Sequence, residues 1–117
     1  MKKVLCLLIF CAIIGCVKKE QPQIQKTQPM NKKIEVYDFS AAWCPPCRLF
    51  APTFDEWSKK YSNDYITFFK VDTDSDMELT AKFKISALPT VVIVHDGKEV
   101  KRFVGPPSES QILEYLK

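Results

Sequence analysis

Apolar residues fall into three patterns along the chain. From Val4 to Ile14 they form an uncharged run behind Lys2 and Lys3, and from Val17 to Lys33 they nearly vanish among Gln, Lys and Pro. From Ile34 onward they return at the periods of strands and helices. Ile34 to Phe39 (IEVYDF) has the β-branched and aromatic content of a buried strand. Pro45 to Tyr61 places Phe50, Phe54, Trp57 and Tyr61 on one helical face, with Pro52 set to remove a hydrogen bond and kink the helix. Tyr65 to Val71 (YITFFKV) reads as a second strand, and Met77 to Phe83 as a short helix. Thr90 to His95 (TVVIVH) is a third strand. Asp96-Gly97 then turns the chain into a fourth, Glu99 to Val104. Ser108 and Gln111 have the spacing of a capping box for a last helix whose apolar face is Ile112, Leu113 and Leu116.

This order, βαβ, helix, then ββα, predicts an α/β domain over residues 34–117: a central mixed four-stranded sheet flanked by helices on both faces. The content of 46% apolar and 12% aromatic residues suits a chain that buries a core. The Gln- and Pro-rich stretch cannot offset its ordering entropy by burial, so residues 16–33 are read as a tether spanning on the order of 20 to 25 Å.

The first segment is too short to cross a bilayer, which takes roughly 20 apolar residues. With its two leading lysines, residues 1–15 read as an export signal. Its end, Ile13-Ile14-Gly15-Cys16, resembles the lipobox of bacterial lipoproteins, which implies a lipid on Cys16 and attachment to a bacterial membrane on the side away from the cytoplasm. Cys6 and Cys11 then leave with the signal. The chain has 17 basic and 14 acidic residues, and losing Lys2 and Lys3 brings the signs close to balance. No basic patch for nucleic acid is left.

Of five cysteines, Cys44 and Cys47 in AAWCPPCR remain as thiols. A zinc site needs about four ligands, and these two with His95 would have to be completed by a second copy. A structural disulfide across so short a loop would restrict the unfolded chain little. Redox chemistry accounts better for the placement. The pair opens a helix after a strand, where free amides and the helix dipole favour a thiolate at Cys44. Cys47 falls on the same face, within bonding reach and less exposed than the accessible Cys44. Pro45 and Pro46 occupy first-turn positions with no helical bond to lose and restrict the loop. The spacing of Asp72, Asp74 and Asp76 hints at a calcium loop, but Met77 stands where the glycine belongs and Phe83 where the glutamate belongs. The stretch is read as a solvated helix entrance.

VYDFSAAWCPPCRLFAP resembles the active-site region of the thioredoxin family, and the likeness continues through FFKVDTD, ALPT, the Asp-Gly hairpin and FVG to Lys117. The resemblance implies a minimal thioredoxin fold with a redox disulfide Cys44–Cys47, Cys44 attacking and Cys47 resolving. It assigns Asp38 as the buried proton relay and Lys70 as its partner, and makes Pro89 a cis-proline. Trp43, Pro45, Pro46, Leu88, Pro89 and Gly105 would flank the substrate groove. Proline replaces the family's usual glycine between the cysteines, and the extra first strand and helix of most thioredoxins is not visible. Tyr65 to Val71 should therefore lie at a sheet edge, bare or covered by the tether.

The expected activity is reduction of disulfides in exported proteins by dithiol exchange, with no metal and no organic cofactor, by a monomer recharged from a membrane electron donor. Two alternatives stay open: a disulfide-forming oxidase or isomerase, and a non-catalytic binding module using the same groove.

Overall fold

The structure is a computed structural model describing residues 32–117. The expectations placed on the signal, on Cys16 and on all but the end of the tether lie outside the described residues. Among the described residues no helix is long and apolar enough to cross a membrane.

Strands β1 (Ile34–Ser40) and β2 (Ile66–Asp72) are joined by helix α1 (Pro45–Tyr61). Helix α2 (Met77–Lys82) leads to the hairpin β3 (Thr90–His95) and β4 (Lys98–Val104), and α3 (Glu109–Leu113) follows. The sheet order is β2-β1-β3-β4, with β1 and β2 parallel and the other neighbours antiparallel. The mixed four-stranded sheet expected of the sequence is therefore present among the described residues.

Side-chain alternation divides β1 between two cores. Ile34 and Val36 face α1, where Phe50, Phe54 and Trp57 pack with Ile66, Val91, Ile93 and Ile112 of α3. Phe39 faces the other way, joining Val71, Val92 and Val94 beneath Leu79, Phe83, Ile85 and Leu88. Helices thus cover both faces, and β3, flanked on both sides, is buried from Thr90 to Val94. That double burial is why TVVIV reads as a continuous apolar run rather than an alternation. At the other extreme β2 forms an edge of the described sheet, with Phe69 exposed.

Local chemistry closes the elements as expected. Asp96 and Gly97 take φ of 51° and 84°, the paired left-handed conformation of a two-residue hairpin. Ser108 accepts from the Gln111 amide at 3.3 Å while Gln111 Oε1 accepts from the Ser108 amide at 2.9 Å, a complete capping box. Helix α1 continues through Pro52 as one element of 17 residues. One feature of β4 has no counterpart in the sequence reading. Ile93 pairs with Lys101 but Val94 with Glu99, so Val100 is an extra residue, a β-bulge.

Candidate active site

Cys44 is the N-cap of α1, with Pro45 and Pro46 in the first turn. Neither proline has an amide hydrogen, so the first donor in the turn is the Cys47 amide, and it points at Cys44 Sγ across 3.3 Å. A donor aimed at the sulfur and the positive end of a 17-residue helix both favour the thiolate over the thiol. Cys44 and Cys47 are joined as a disulfide with their Cα atoms 5.2 Å apart.

The open exposure expected for Cys44 needs correction: the residue is only 4% exposed. Ala41 and Leu88 pack against the cysteine pair. Access is instead through a groove of about 450 Å³, lined by Cys44 with Trp43, Pro45, Pro46 and Leu88. Thr73, Thr80, Ile85, Ser86 and Ala87 complete the lining. Cys47 is not in the wall, so an incoming group meets Cys44 first.

The groove is less polar than its residue types suggest. Thr73 Oγ1 donates to the Ser40 carbonyl and Thr80 Oγ1 to the Asp76 carbonyl at 2.7 Å, so both hydroxyl hydrogens are already used within the protein. Trp43 is 65% exposed, yet its indole Nε1 is held by Asp74 Oδ2 at 2.9 Å. Asp74 escaped the sequence reading as a site residue. It was hidden in the acidic run whose other members serve locally: Asp72 accepts from the Asp74 amide and Asp76 caps α2 through the Leu79 amide. Residues 85–87 were missed as well; their only signal was adjacency to Leu88-Pro89.

The Leu88–Pro89 peptide is cis. Pro89 and Gly105, expected in the groove, are not among the residues that line it. The Gly105 amide donates to the Pro89 carbonyl at 2.7 Å, and Gly105 takes φ of 92°, a conformation open to glycine at no steric cost. This bond ties the end of β4 to the turn that carries Leu88.

Asp38 shares the α1-facing side of β1 with Ile34 and Val36, near the strand end from which the chain enters α1 at the cysteines. It is 1% exposed and its Oδ1 has no hydrogen-bond partner. Burial raises its carboxyl from the ordinary 3.8 to about 6, with the charge on Lys70 pulling down and that on Asp55 pushing up. The expected ion pair between Asp38 and Lys70 is not made. Register sets the two side by side on neighbouring strands, but Lys70 Nζ lies 3.0 Å from Asp55 Oδ1. Both of those side chains are half exposed, so the ammonium keeps its water. Pairing with Asp38 would require stripping it.

The raised value has a consequence for stability. Between about pH 4 and pH 6 the folded protein holds a proton that the unfolded chain has released, so stability falls as pH rises through that window and stays lower above it. The difference corresponds to about 3 kcal/mol. Asp38→Asn is therefore expected to raise unfolding free energy at pH 8 by up to that amount and to change little at pH 4. Urea titrations at the two pH values measure it. Equal stability of the two proteins at pH 8 would show that Asp38 carries no such penalty.

Among the described residues no three His, Cys, Asp or Glu side chains converge to hold a metal ion. His95 sits at the far end of β3, with Nε2 2.7 Å from the Tyr115 carbonyl oxygen.

Comparison with known proteins points one way. The family described as Thioredoxin matches residues 17–117, a span that begins inside the stretch read as a tether. Thioredoxin H5 of Arabidopsis thaliana is 45% identical over 75 residues, covering 64% of this chain and 62% of that protein. Thioredoxin H4 of the same plant is 40% identical over 99 residues, 83% of this chain and 82% of that one. Among solved structures, Fasciola hepatica thioredoxin is 41% identical and superimposes with a TM-score of 0.64 over 74% of this chain and 81% of its own. Malassezia sympodialis thioredoxin does so at 31% identity with a TM-score of 0.66, over 73% and 76%. Identity at this level across most of both chains, joined to a shared fold and a cysteine pair on the helix tip, means that the chain belongs to the thioredoxin family of thiol-disulfide oxidoreductases.

Proposed function

We propose that this protein is an exported, lipid-anchored reductant of disulfides in other exported proteins, with Cys44 as nucleophile and Cys47 as resolving thiol. The observation that carries the assignment of roles is the asymmetry of the pair: Cys44 borders the groove and Cys47 stands behind it.

In the reduced protein the Cys44 thiolate attacks one sulfur of a partner disulfide. The partner's S–S bond breaks, its other sulfur leaves as a thiolate that takes up a proton, and a mixed disulfide to Cys44 forms. Cys47 gives its proton to the Asp38 carboxylate and attacks Cys44 Sγ. The partner's second sulfur leaves as a thiolate and takes up a proton, the Cys44–Cys47 disulfide forms, and two electrons have passed to the partner. A carboxyl that titrates near 6 suits this exchange, since an acid-base group works best close to the ambient pH. Trp43, Leu88 and Ile85 offer apolar contact to residues flanking the partner's cysteine. No metal or organic group takes part; a membrane electron donor restores the reduced pair.

The address rests on MKKVLCLLIFCAIIGC, where Lys2 and Lys3 precede an uncharged run ending at Cys16. Direction depends on potential, about 30 mV being worth roughly 1.4 kcal/mol for a two-electron couple. Equilibration of the pair against glutathione separates a reductant from an oxidase.

The deciding experiment is a trap. Cys47→Ser leaves Cys44 able to attack but removes the group that resolves the adduct, so partners should accumulate as mixed disulfides released by dithiothreitol. Labelled palmitate should enter the same protein and disappear with Cys16→Ala. No adduct above that of the Cys44→Ser, Cys47→Ser double variant would end the reading of roles. Adducts on a soluble, unlabelled chain would overturn the address alone.

A further inference from the structure

One wall of the groove, residues 85–88, follows directly on the end of α2, and that helix ends in an unusual way. Lys84 has φ of 53°, and the Lys84 and Ile85 amides bond back to the Ala81 and Thr80 carbonyls. These are the bonds of a Schellman cap, in which glycine normally takes the left-handed position. A residue with a Cβ pays there in conformational energy. The amides of the turn are thus held by the helix, but the carbonyls of Phe83 and Lys84 point away from it.

A single side chain receives both. Arg102 Nη2 donates to the Phe83 carbonyl at 2.6 Å and Nη1 to the Lys84 carbonyl at 3.4 Å. The guanidinium is gripped in turn by Glu99, with Nε to Oε2 at 2.8 Å and Nη2 to Oε1 at 2.9 Å. Residues three apart on a regular strand point to opposite faces. The extra residue Val100 cancels that inversion: Glu99 pairs with Val94 and Arg102 with Val92, so both stand on the face that carries Phe83, Ile85 and Leu88. The bulge is what allows the carboxylate and the guanidinium to meet.

We propose that Arg102, oriented by Glu99 across the bulge at Val100, is a positioning residue that fixes the left-handed turn at Lys84 and thereby the groove wall that receives the partner chain. The proposal rests on the oxidoreductase reading above. Arg102 touches neither cysteine and is absent from the lining of the groove, so its effect falls on binding of large partners and not on the reactivity of Cys44.

The test compares full-length wild type with Arg102→Ala in steady-state reduction of insulin by dithiothreitol, together with alkylation of reduced Cys44 by iodoacetamide. Arg102→Ala should raise KM roughly fivefold to tenfold, the loss expected of two partly exposed hydrogen bonds from a charged donor, with kcat and the alkylation rate within about twofold. Adding Lys84→Gly should recover most of the KM, because glycine adopts the left-handed turn without help. A role of Arg102 exerted anywhere but through this turn would not respond to that second change, and a mere loss of folded protein would lower kcat and leave KM unchanged. Should Arg102→Ala fold poorly, Glu99→Gln keeps the guanidinium while removing the charge that orients it, and should raise KM in the same direction. An active wild type with unchanged KM in Arg102→Ala, or a raised KM that Lys84→Gly leaves as it is, overturns the positioning role alone. A wild type that reduces no disulfide overturns the oxidoreductase reading and this role with it.

Discussion

Cys44→Ser is expected to abolish disulfide reduction, with turnover falling more than about a thousandfold, as when an enzyme loses its nucleophile. The reason lies in the atom and in its position. A serine hydroxyl does not ionise near neutral pH, so the Cys47 amide at 3.3 Å and the helix dipole would have no thiolate to stabilise. Cys47 cannot substitute, because it has no place in the wall of the groove and would have to attack from behind Cys44. Insulin reduction followed by turbidity measures the loss. Residual activity within tenfold of wild type would mean that the reacting sulfur is not Cys44, and the dithiol mechanism would fall with it.

The second large effect is on the fold that aims this sulfur. Phe54 is fully buried on α1, with ring centroids 6.0 Å from Phe50 and 5.4 Å from Phe68 of β2. Phe54→Ala removes a ring from the contact between the helix and the sheet, leaving a cavity whose cost is roughly 3 to 5 kcal/mol. Whole domains of this kind are stable by only about 5 to 15 kcal/mol, so the variant should be marginal at physiological temperature. Urea unfolding monitored by tryptophan fluorescence gives the value directly, since Trp57 lies in the same cluster. A loss below about 1 kcal/mol would contradict the packing of α1 described here.

Both of these sites are encoded locally in the sequence. The Phe50, Phe54 and Trp57 stripe is a local property: helical spacing puts the three side chains on one face whatever the rest of the chain does. Cys44 and Cys47 were legible for the same reason, as neighbours on the first turn of a helix following a strand. Lys70 was not. Its position beside Asp38 follows from register, but whether its ammonium turns to that carboxylate or to Asp55 is decided by which pairing keeps it hydrated, and Asp55 comes from a different element. Asp74 shows the same limit. Its bond to Trp43 joins residues 31 apart, and nothing in DTDSD distinguishes it from its neighbours.

The chain taken alone determined the elements, the two-residue turn at Asp96-Gly97, the capping box at Ser108 and the cysteine pair on a helix tip. Each depends on side chains within a few positions of one another, where spacing and backbone preference act without a partner. Tertiary structure decided what the site can reach and what holds it: the groove over Cys44, the unpartnered Oδ1 of Asp38, and the guanidinium of Arg102 on the turn at Lys84. Those depend on strand order, on register and on one extra residue in β4. Their physical cause is burial and pairing between distant segments, which no local pattern of residues encodes.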